Sequence, residues 1–275
     1  NNGDGTFADV TDKAGVAYPG FAMGGAVTDY DNDGWPDIYV ANDSSPAALY
    51  HNNRNGTFTD IGIEAGCAFS IDGKPQAGMG VTAGDYDRDG WLDIYVCKSG
   101  DMQGVRRSNE LFINKGNGNF VEQGAQWGLD IRGLSTHAAF FDYDKDGDLD
   151  MYLLVNEILK HDNPSVYRPK IEDGSHPSTG RLYRNEGNGN AGHPFFTDVS
   201  KEAGVTMEGY GHGVTIADFN KDGWKDIFVT NDFNSNDLLY INTANGTFTL
   251  DFYRNASADA SGYGEGEAYL GSTNV

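Results

Sequence analysis

The chain has 275 residues, with 19 Lys and Arg against 41 Asp and Glu, which gives a formal net charge of −22 at pH 7. A surface this negative repels phosphate backbones, so nucleic acid is not an expected partner, and no stretch approaches the roughly 20 apolar residues of a membrane span. Because 12% of the residues are aromatic, we expect a packed core and not a disordered acidic tail.

The first repeat begins with a turn. Asn1–Phe7 ends in Asp-Gly-Thr-Phe, which returns later as Asn-Gly-Thr-Phe. A Gly-rich stretch then leads to the acidic segment Asp29–Val40, followed by Leu49–Asn52 and an Asn55-Gly56 turn. Asn-Gly between two apolar runs predicts a hairpin with a type I′ turn, which needs positive φ at both central residues.

The same order of elements recurs three more times. Acidic segments begin again at Asp85, Asp142 and Asp218, and each is followed by an Asn-Gly turn. Each repeat predicts four short strands: a Gly-rich strand such as Gly78–Gly84, an apolar strand after the acidic loop, and two strands flanking the Asn-Gly turn. The second strand is apolar at consecutive positions, which is typical of a sheet covered on both faces. The sequence therefore predicts an all-β protein built from four-stranded propeller blades.

We predict one β-propeller domain over residues 1–275, with a single helical turn after some blades, at Ile63–Gly66 and Ser200–Gly204. The C-terminal run Gly262–Leu270 resembles a first strand, but Gly271 stands where the next acidic loop would begin. Two alternatives stay open: the two ends complete a five-bladed ring, or the chain is part of a larger propeller. The expected blade units are residues 1–20 (partial), 21–67, 78–130, 134–205, 209–254 and 255–275 (partial), with an insertion at 156–180.

Each acidic loop gathers three to five carboxylates within nine residues, which repel one another unless a cation lies among them. Positions 1, 3 and 5 place oxygens around one point, Gly at position 6 permits a sharp turn, position 7 offers a carbonyl and position 9 a carboxylate. This all-oxygen cage suits Ca²⁺ better than the smaller Mg²⁺, and the absence of His and Cys argues against zinc and copper. An EF-hand is excluded because it requires Glu at position 12, where the four loops have Val40, Val96, Leu153 and Val229.

The loops and their hairpins resemble FG-GAP or VCBS repeats. Their residue sequence is similar to that of bacterial relatives of the cartilage acidic protein family, and integrin α-subunit propellers carry loops of the same kind. The resemblance covers roughly residues 1–250 and implies a propeller, commonly seven-bladed, that holds about four calcium ions between the first and second strands of its blades. The ligands that it implies are Asp29, Asp31, Asp33, Trp35 and Asp37; Asp85, Asp87, Asp89, Trp91 and Asp93; Asp142, Asp144, Asp146, Asp148 and Asp150; and Asp218, Asn220, Asp222, Trp224 and Asp226.

Other chemistry is sparse in the sequence. No G-x-S-x-G, H-E-x-x-H or P-loop pattern occurs, so we expect no enzyme activity. His137 and His212 fall in predicted first strands, where hydrogen-bonded structural histidines are favoured over catalytic ones. The alternative is an enzyme that uses the propeller as a scaffold and acts on polysaccharide, with calcium as a structural or electrostatic aid. Cys67 and Cys97 form one disulfide or remain two buried thiols, and thiols are favoured.

The predicted function is that of an extracellular calcium-binding repeat protein in adhesion, recognition or structural assembly, including a filament or surface-layer subunit. Loops of this ligand type fill readily at the calcium levels outside cells, which favours a secreted or cell-surface location. Protein or glycan is expected to bind through the loop face, and open blade edges allow self-assembly. The insertion Asn156–Gly180 and the segment Ser99–Asn109, which contains Arg106 and Arg107, are candidate partner-binding loops, with a plain surface loop favoured for the insertion.

Overall fold

The computed structural model describes residues 1–99, 108–158, 168–189, 192–233 and 236–252. Two short helices, α1 (Thr11–Ala14) and α2 (Gly124–Trp127), accompany a fold that is otherwise made of strands and loops. The described strands are β1 Phe21–Thr28, β2 Asp37–Asp43, β3 Ala48–Asn52, β4 Phe58–Asp60, β5 Gly78–Gly84, β6 Asp93–Lys98, β7 Glu110–Asn114, β8 Phe120–Glu122, β9 Ser135–Phe141, β10 Asp150–Val155, β11 Arg181–Asn185, β12 Phe196–Asp198, β13 Gly211–Ala217, β14 Asp226–Asn231, β15 Leu238–Asn242 and β16 Phe248–Phe252.

The strands form four antiparallel sheets of four strands, and each strand pairs with its neighbour in the sequence. Blade 1 consists of β1–β4, blade 2 of β5–β8, blade 3 of β9–β12 and blade 4 of β13–β16. This up-and-down meander is the blade of a β-propeller. The predicted all-β fold of four full propeller blades is therefore confirmed.

The chain divides into two compact units, Asn1–Gly124 with blades 1 and 2, and Ala125–Val275 with blades 3 and 4. The prediction of one domain over residues 1–275 stays a prediction. In the N-terminal segment the expected turn forms, because the Asn2 N–H donates to the Thr6 carbonyl (2.9 Å), but residues 7–20 contain no strand. The partial blade predicted at 255–275 lies outside the described residues.

In blades 2 and 3 burial follows the prediction for the second strand, whereas β2 and β14 of the other two blades contain partly or fully exposed residues. Every residue of β6 and of β10 is buried, as expected for an apolar strand with neighbours on both faces. In the first unit, Tyr39 and Leu49 of blade 1 share a core with Ile94 and Phe112 of blade 2. A second core joins blades 3 and 4 through Tyr152, Leu182, Ile227 and Tyr240.

A buried asparagine links the two blades of each unit. Asn114, the last residue of β7, donates from Nδ2 to the Tyr30 carbonyl of blade 1 at 2.8 Å. Asn242, the last residue of β15, donates in the same way to the Tyr143 carbonyl of blade 3 at 2.8 Å. Both asparagines are almost fully buried, so each amide satisfies a carbonyl that water cannot reach.

Replacement of Asn114 by Ala is expected to lower the free energy of unfolding of the first unit by about 2–4 kcal/mol. The change removes donors to the Tyr30 and Leu92 carbonyls and the acceptor of the Gly116 N–H, and each buried group left unpaired costs about 1–3 kcal/mol. Urea unfolding measures the loss. Asn119→Ala in the neighbouring exposed turn serves as the control, and equal stability of the two variants would contradict the prediction.

The hairpin turns form where they are predicted but not with the predicted geometry. In the first turn the Asn53 N–H donates to the Thr57 carbonyl (2.9 Å), and Arg54 and Gly56 have positive φ, whereas Asn55 does not. The type I′ prediction was wrong, because Asn55 accepts from the Thr57 N–H (3.0 Å) and so closes a longer turn with its side chain.

Two smaller expectations are confirmed. Single helical turns end with Ala65 N–H donating to the Ile61 carbonyl (2.8 Å) and Ala203 N–H to the Val199 carbonyl (2.8 Å). Cys67 and Cys97 are free buried thiols, and burial raises the pKa of Cys67 to about 12. In the part of the chain that the structure describes, no helix combines the length and the apolar character needed to cross a membrane.

Candidate metal centre

The acidic loops connect the first and second strands of the four blades. Loop 1 spans residues 29–37, loop 2 residues 85–93, loop 3 residues 142–150 and loop 4 residues 218–226. In each loop the residue at position 4 has a φ of 55° to 65° and the glycine at position 6 a φ of 85° to 91°. Two left-handed residues so close together bend the chain back on itself, and glycine at position 6 adopts this conformation without strain.

Backbone N–H groups hold the carboxylates of loop 2 in place. Asp85 accepts from the Asp89 and Gly90 N–H groups, both at 3.0 Å. Asp87 Oδ1 accepts a longer bond from the Asp89 N–H (3.2 Å), and Asp89 Oδ1 accepts from the Trp91 N–H (2.9 Å). The Oδ2 atoms of Asp87 and Asp89 have no donor among the described residues, so these oxygens remain available to a cation.

The carboxylate at position 9 joins the loop to the third strand of its blade. Asp93 is fully buried and accepts from the Asn114 N–H at 2.8 Å and the Tyr86 N–H at 3.1 Å. Burial raises the pKa of Asp93 to about 8, and it has the same effect on Asp150 of loop 3. An ionised carboxylate at this depth is therefore disfavoured unless a cation lies beside it.

The structure brings the predicted side chains together in three of the four loops. Ligand atoms within 4.8 Å of one another are offered in loop 1 by Asp29, Asp31 and Asp33, in loop 2 by Asp85, Asp87 and Asp93, and in loop 3 by Asp142, Asp144 and Asp146. Loop 4 has the same backbone network, in which Asp222 N–H donates to Asp218 (3.1 Å) and to Asn220 (3.0 Å). These donor sets contain only oxygen, which is the ligand that Ca²⁺ takes.

A buried oxygen without a partner supports the fit to a cation. In loop 3, Asp142 Oδ2 accepts from the Gly147 N–H (3.2 Å), but Asp142 Oδ1 is buried and has no hydrogen-bond partner among the described residues. A buried carboxylate oxygen with no donor is costly, and a divalent ion within the Asp142, Asp144 and Asp146 group removes that cost.

The backbone N–H at position 7 is bonded within each loop. The Trp35, Trp91, Asp148 and Trp224 N–H groups each donate to the aspartate at position 5, at 2.7 to 2.9 Å. The role of their carbonyls as ligands stays a prediction.

Neighbouring loops within a unit contact each other. In the first unit, Asn32 at position 4 of loop 1 donates to the Gly90 carbonyl of loop 2 (2.9 Å). In the second unit, the Lys145 ammonium at position 4 of loop 3 lies 4.0 Å from the centre of the Trp224 ring of loop 4. The position-4 side chain therefore links one loop to the next.

Sequence reasoning missed two side chains that face the loops from the third strand. His51 of β3 lies beside Asp31 and Asp37 of loop 1, with Nδ1 3.4 Å from a carboxylate oxygen of each, so a histidine adjoins one of the four predicted cages. Arg184 of β11 has the same place in blade 3, where it interacts with Tyr143. Both residues stand directly before the asparagine that ends the third strand. The other two blades have isoleucine at that position, so the change of residue type was the signal that could have been detected.

The two histidines of the first strands lie outside the acidic groups found in the loops of the described residues. His137 in β9 is half-buried and His212 in β13 is exposed, and neither side chain has a hydrogen-bond partner or ion pair among the described residues. The preference for structural over catalytic histidines at these positions stays a prediction. Burial lowers the pKa of His137, which favours its neutral form.

Replacement of Asn220 by Asp is expected to tighten calcium binding at loop 4 by about tenfold, because affinity in such loops rises with the number of charged ligands. Asn220 now donates from Nδ2 to Asp222 Oδ2 (2.8 Å) and so occupies an oxygen that a cation needs. A calorimetric titration with calcium measures the change in affinity. The reverse swap, Asp144→Asn in loop 3, should weaken one site, and unchanged affinity in Asn220→Asp would refute the expectation.

Comparison with known families gives a match to the family described as FG-GAP-like repeat, at residues 29–96, 101–153 and 173–229, which together make up more than half of the chain. Among curated proteins, the chain is 26% identical over 246 residues to cartilage acidic protein 1 of Mus musculus and 27% identical over 225 residues to that of Homo sapiens. The matches cover 90% and 81% of this chain but only 34% and 30% of the relatives' length.

Among solved structures, a lectin of Agrocybe aegerita, described as recognising non-reducing terminal N-acetylglucosamine, matches with a TM-score of 0.40 and 17% identity. The match covers 81% of this chain and 49% of the lectin chain.

Proposed function

This chain belongs to the FG-GAP-like repeat family, and from that membership we propose that it is an extracellular calcium-binding repeat protein of about four sites, acting in recognition, adhesion or assembly without catalysis. The observation that carries the proposal is the repeated loop. In all four loops position 1 accepts the N–H of position 6 and position 5 accepts the N–H of position 7, and in each the aspartate at position 9 is fully buried. Calcium supplies positive charge among these oxygens when it is bound, and the loop residues orient the oxygens toward one another.

The net charge of the chain also supports calcium binding by the four loops. The four loops contribute 15 aspartates at positions 1, 3, 5 and 9, and four calcium ions would change the formal charge from −22 to −14. Loops of this ligand class fill at extracellular calcium concentrations, whereas resting cytosol leaves the weaker ones empty. A secreted or cell-surface location follows from that difference.

Two features of the described residues favour recognition and assembly over catalysis. The dense carboxylate groups found among the described residues lie in loops 1, 2 and 3, and neither His137 nor His212 belongs to one of them. In blade 1, Phe21, Met23 and Val27 of β1 are 69%, 53% and 72% exposed, so this strand offers apolar side chains to a partner. We propose that protein or glycan partners bind through the loops, with self-assembly through open blade edges.

Direct counting of bound calcium by mass spectrometry under native conditions tests the central part of the proposal, with about four ions expected. Binding of the chain to arrays of glycans and of extracellular proteins, with and without EGTA, tests recognition, and the expected result is a partner that is lost with calcium. A chain that takes up no calcium, or that cleaves polysaccharide through His137 or His212, would overturn the proposal.

A further inference from the structure

Loop 1 differs from the other loops in the side chain that approaches it from the third strand. His51 lies in β3, one residue before Asn52, whose N–H donates to Asp37 Oδ1 at 2.8 Å. This register places the imidazole over the buried end of loop 1, with Asp37 fully buried and 29% of the His51 side chain exposed. The site is thus open on the His51 side and closed behind Asp37.

The Nδ1 atom of His51 lies 3.4 Å from three oxygens: Asp31 Oδ2, Asp37 Oδ1 and Tyr30 Oη. This separation is longer than the usual 2.9–3.0 Å of an N–H···O hydrogen bond. It is, however, the separation expected of neighbouring ligands. Two atoms 3.4 Å apart that each lie about 2.1 Å from one ion subtend about 108° at that ion, which is close to tetrahedral.

The donor set can be completed by the residues already present. Asp31, Asp37 and His51 offer one ligand atom each within 4.8 Å of one another, and Asp31 is shared with the all-oxygen group of Asp29 and Asp33. Asp37 accepts two backbone N–H bonds, from Asn52 (2.8 Å) and Tyr30 (3.3 Å), which leaves lone pairs on both oxygens for a cation. The two hydrogen bonds also fix the orientation of the carboxylate, as outer-shell partners do in metal sites.

The geometry points to a transition-metal site in loop 1, formed by Asp31, Asp37 and His51, that takes Zn²⁺ or a similar divalent ion in preference to Ca²⁺. Imidazole nitrogen is a ligand for zinc, copper, nickel and iron, whereas Ca²⁺ takes oxygen. The inference builds on the proposed calcium loops and gives one of them a different ion. Loops 2 and 4 have Ile113 and Ile241 at the place of His51, and loop 3 has Arg184, so this donor set occurs once among the four.

The competing explanation is that His51 is a charged partner of the two carboxylates or accepts a hydrogen bond from the Tyr30 hydroxyl. Either arrangement would leave Nδ1 without a metal. The two explanations differ in what happens when zinc is added to a protein already saturated with calcium.

The experiment is a calorimetric titration of the calcium-saturated chain with ZnCl₂, for wild type and for His51→Ile. Isoleucine is the residue that two other blades carry at this place, so the variant is expected to fold. We expect one zinc ion per wild-type chain and an affinity at least about 100-fold lower in His51→Ile, since loss of a ligand costs more than loss of an outer-shell partner. Equal zinc binding in the two proteins would overturn the inference, as would a His51 Nδ1 ¹⁵N shift that zinc leaves unchanged.

A transplant provides the matched gain-of-function variant. Arg184→His places an imidazole over loop 3, which has Asp144 and Asp150 at the positions of Asp31 and Asp37. A second zinc ion per chain is expected, and a folded Arg184→His protein that still binds one zinc contradicts the role of this position. If His51→Ile does not fold, His51→Gln replaces it in the same titration.

The calcium count separates this inference from the proposed function. In wild type and in the His51 variants the calcium bound by loops 2, 3 and 4 should persist while zinc is added, and in Arg184→His the calcium of loops 2 and 4 should persist. Absence of calcium in all loops would refute the proposed function even where zinc binds through His51. Zinc binding that is independent of His51 would refute the inference while the calcium loops stand.

Discussion

Chelation of calcium with EGTA is expected to lower the melting temperature of the chain by about 20–40 °C. A site that binds only the folded state contributes about 2.7 kcal/mol at a hundredfold excess of ligand over its dissociation constant, and four sites contribute about 11 kcal/mol. This equals the whole stability of a typical protein, and each kcal/mol corresponds to about 2–4 °C in a chain of this size.

The physical origin of the loss lies in the loops themselves. Without a cation, Asp93 and Asp150 are buried carboxylates whose pKa burial raises to about 8, and Asp142 Oδ1 has no donor among the described residues. Differential scanning calorimetry at matched ionic strength measures the effect. Mg²⁺ should restore less of the melting temperature than Ca²⁺ does, because it fits a smaller octahedron. A melting temperature that EGTA leaves unchanged would falsify the calcium assignment.

Replacement of Asp93 by Ala is expected to lower the free energy of unfolding by about 4–6 kcal/mol. The variant leaves the buried Tyr86 and Asn114 N–H groups without an acceptor, at about 1–3 kcal/mol each, and it removes a ligand of loop 2. The Asp93 carboxylate also ties the loop to β7, so its loss frees the loop from the third strand. Urea unfolding in calcium-containing buffer measures the change.

Two controls make the Asp93 result interpretable. Glu64→Ala removes an exposed carboxylate of the same unit and should change stability by no more than about 0.5 kcal/mol. Asp93→Asn keeps one acceptor oxygen and should fall between wild type and Asp93→Ala. If Asp93→Ala is no less stable than Glu64→Ala, position 9 does not anchor the loop.

The blades and the loop positions follow from the repeat itself. Aligned acidic segments fix where the first strand ends and the second begins, so Gly78–Gly84 was predicted with the bounds that the structure has. The hydrogen bond from the Asn114 N–H to Asp93 could not be predicted from one segment. It depends on the register that brings the end of the third strand to the end of loop 2.

The contribution of the third strand could not be predicted from the spacing within a loop. His51 stands 14 residues after Asp37, and only the pairing of Tyr39 with Leu49 and of Ile38 with Tyr50 brings it back to loop 1. The turn at Asn55 shows the same limit, because its side chain replaces the backbone conformation that the dipeptide usually adopts. Local sequence gives the elements, and cross-strand register decides which side chains meet.

The contacts between adjacent loops have a consequence for how the ions load. When loop 1 is ordered by an ion, Asn32 holds the Gly90 carbonyl and with it the turn at position 6 of loop 2. In the second unit, the contact of Lys145 of loop 3 with the Trp224 ring restrains loop 4 in the same way. A loop whose neighbour is already ordered has less conformational entropy to lose, so we expect the second ion of each pair to bind more tightly than the first. Saturation within each unit would then be cooperative, and its loops would fill over a narrower range of calcium concentration than independent loops do.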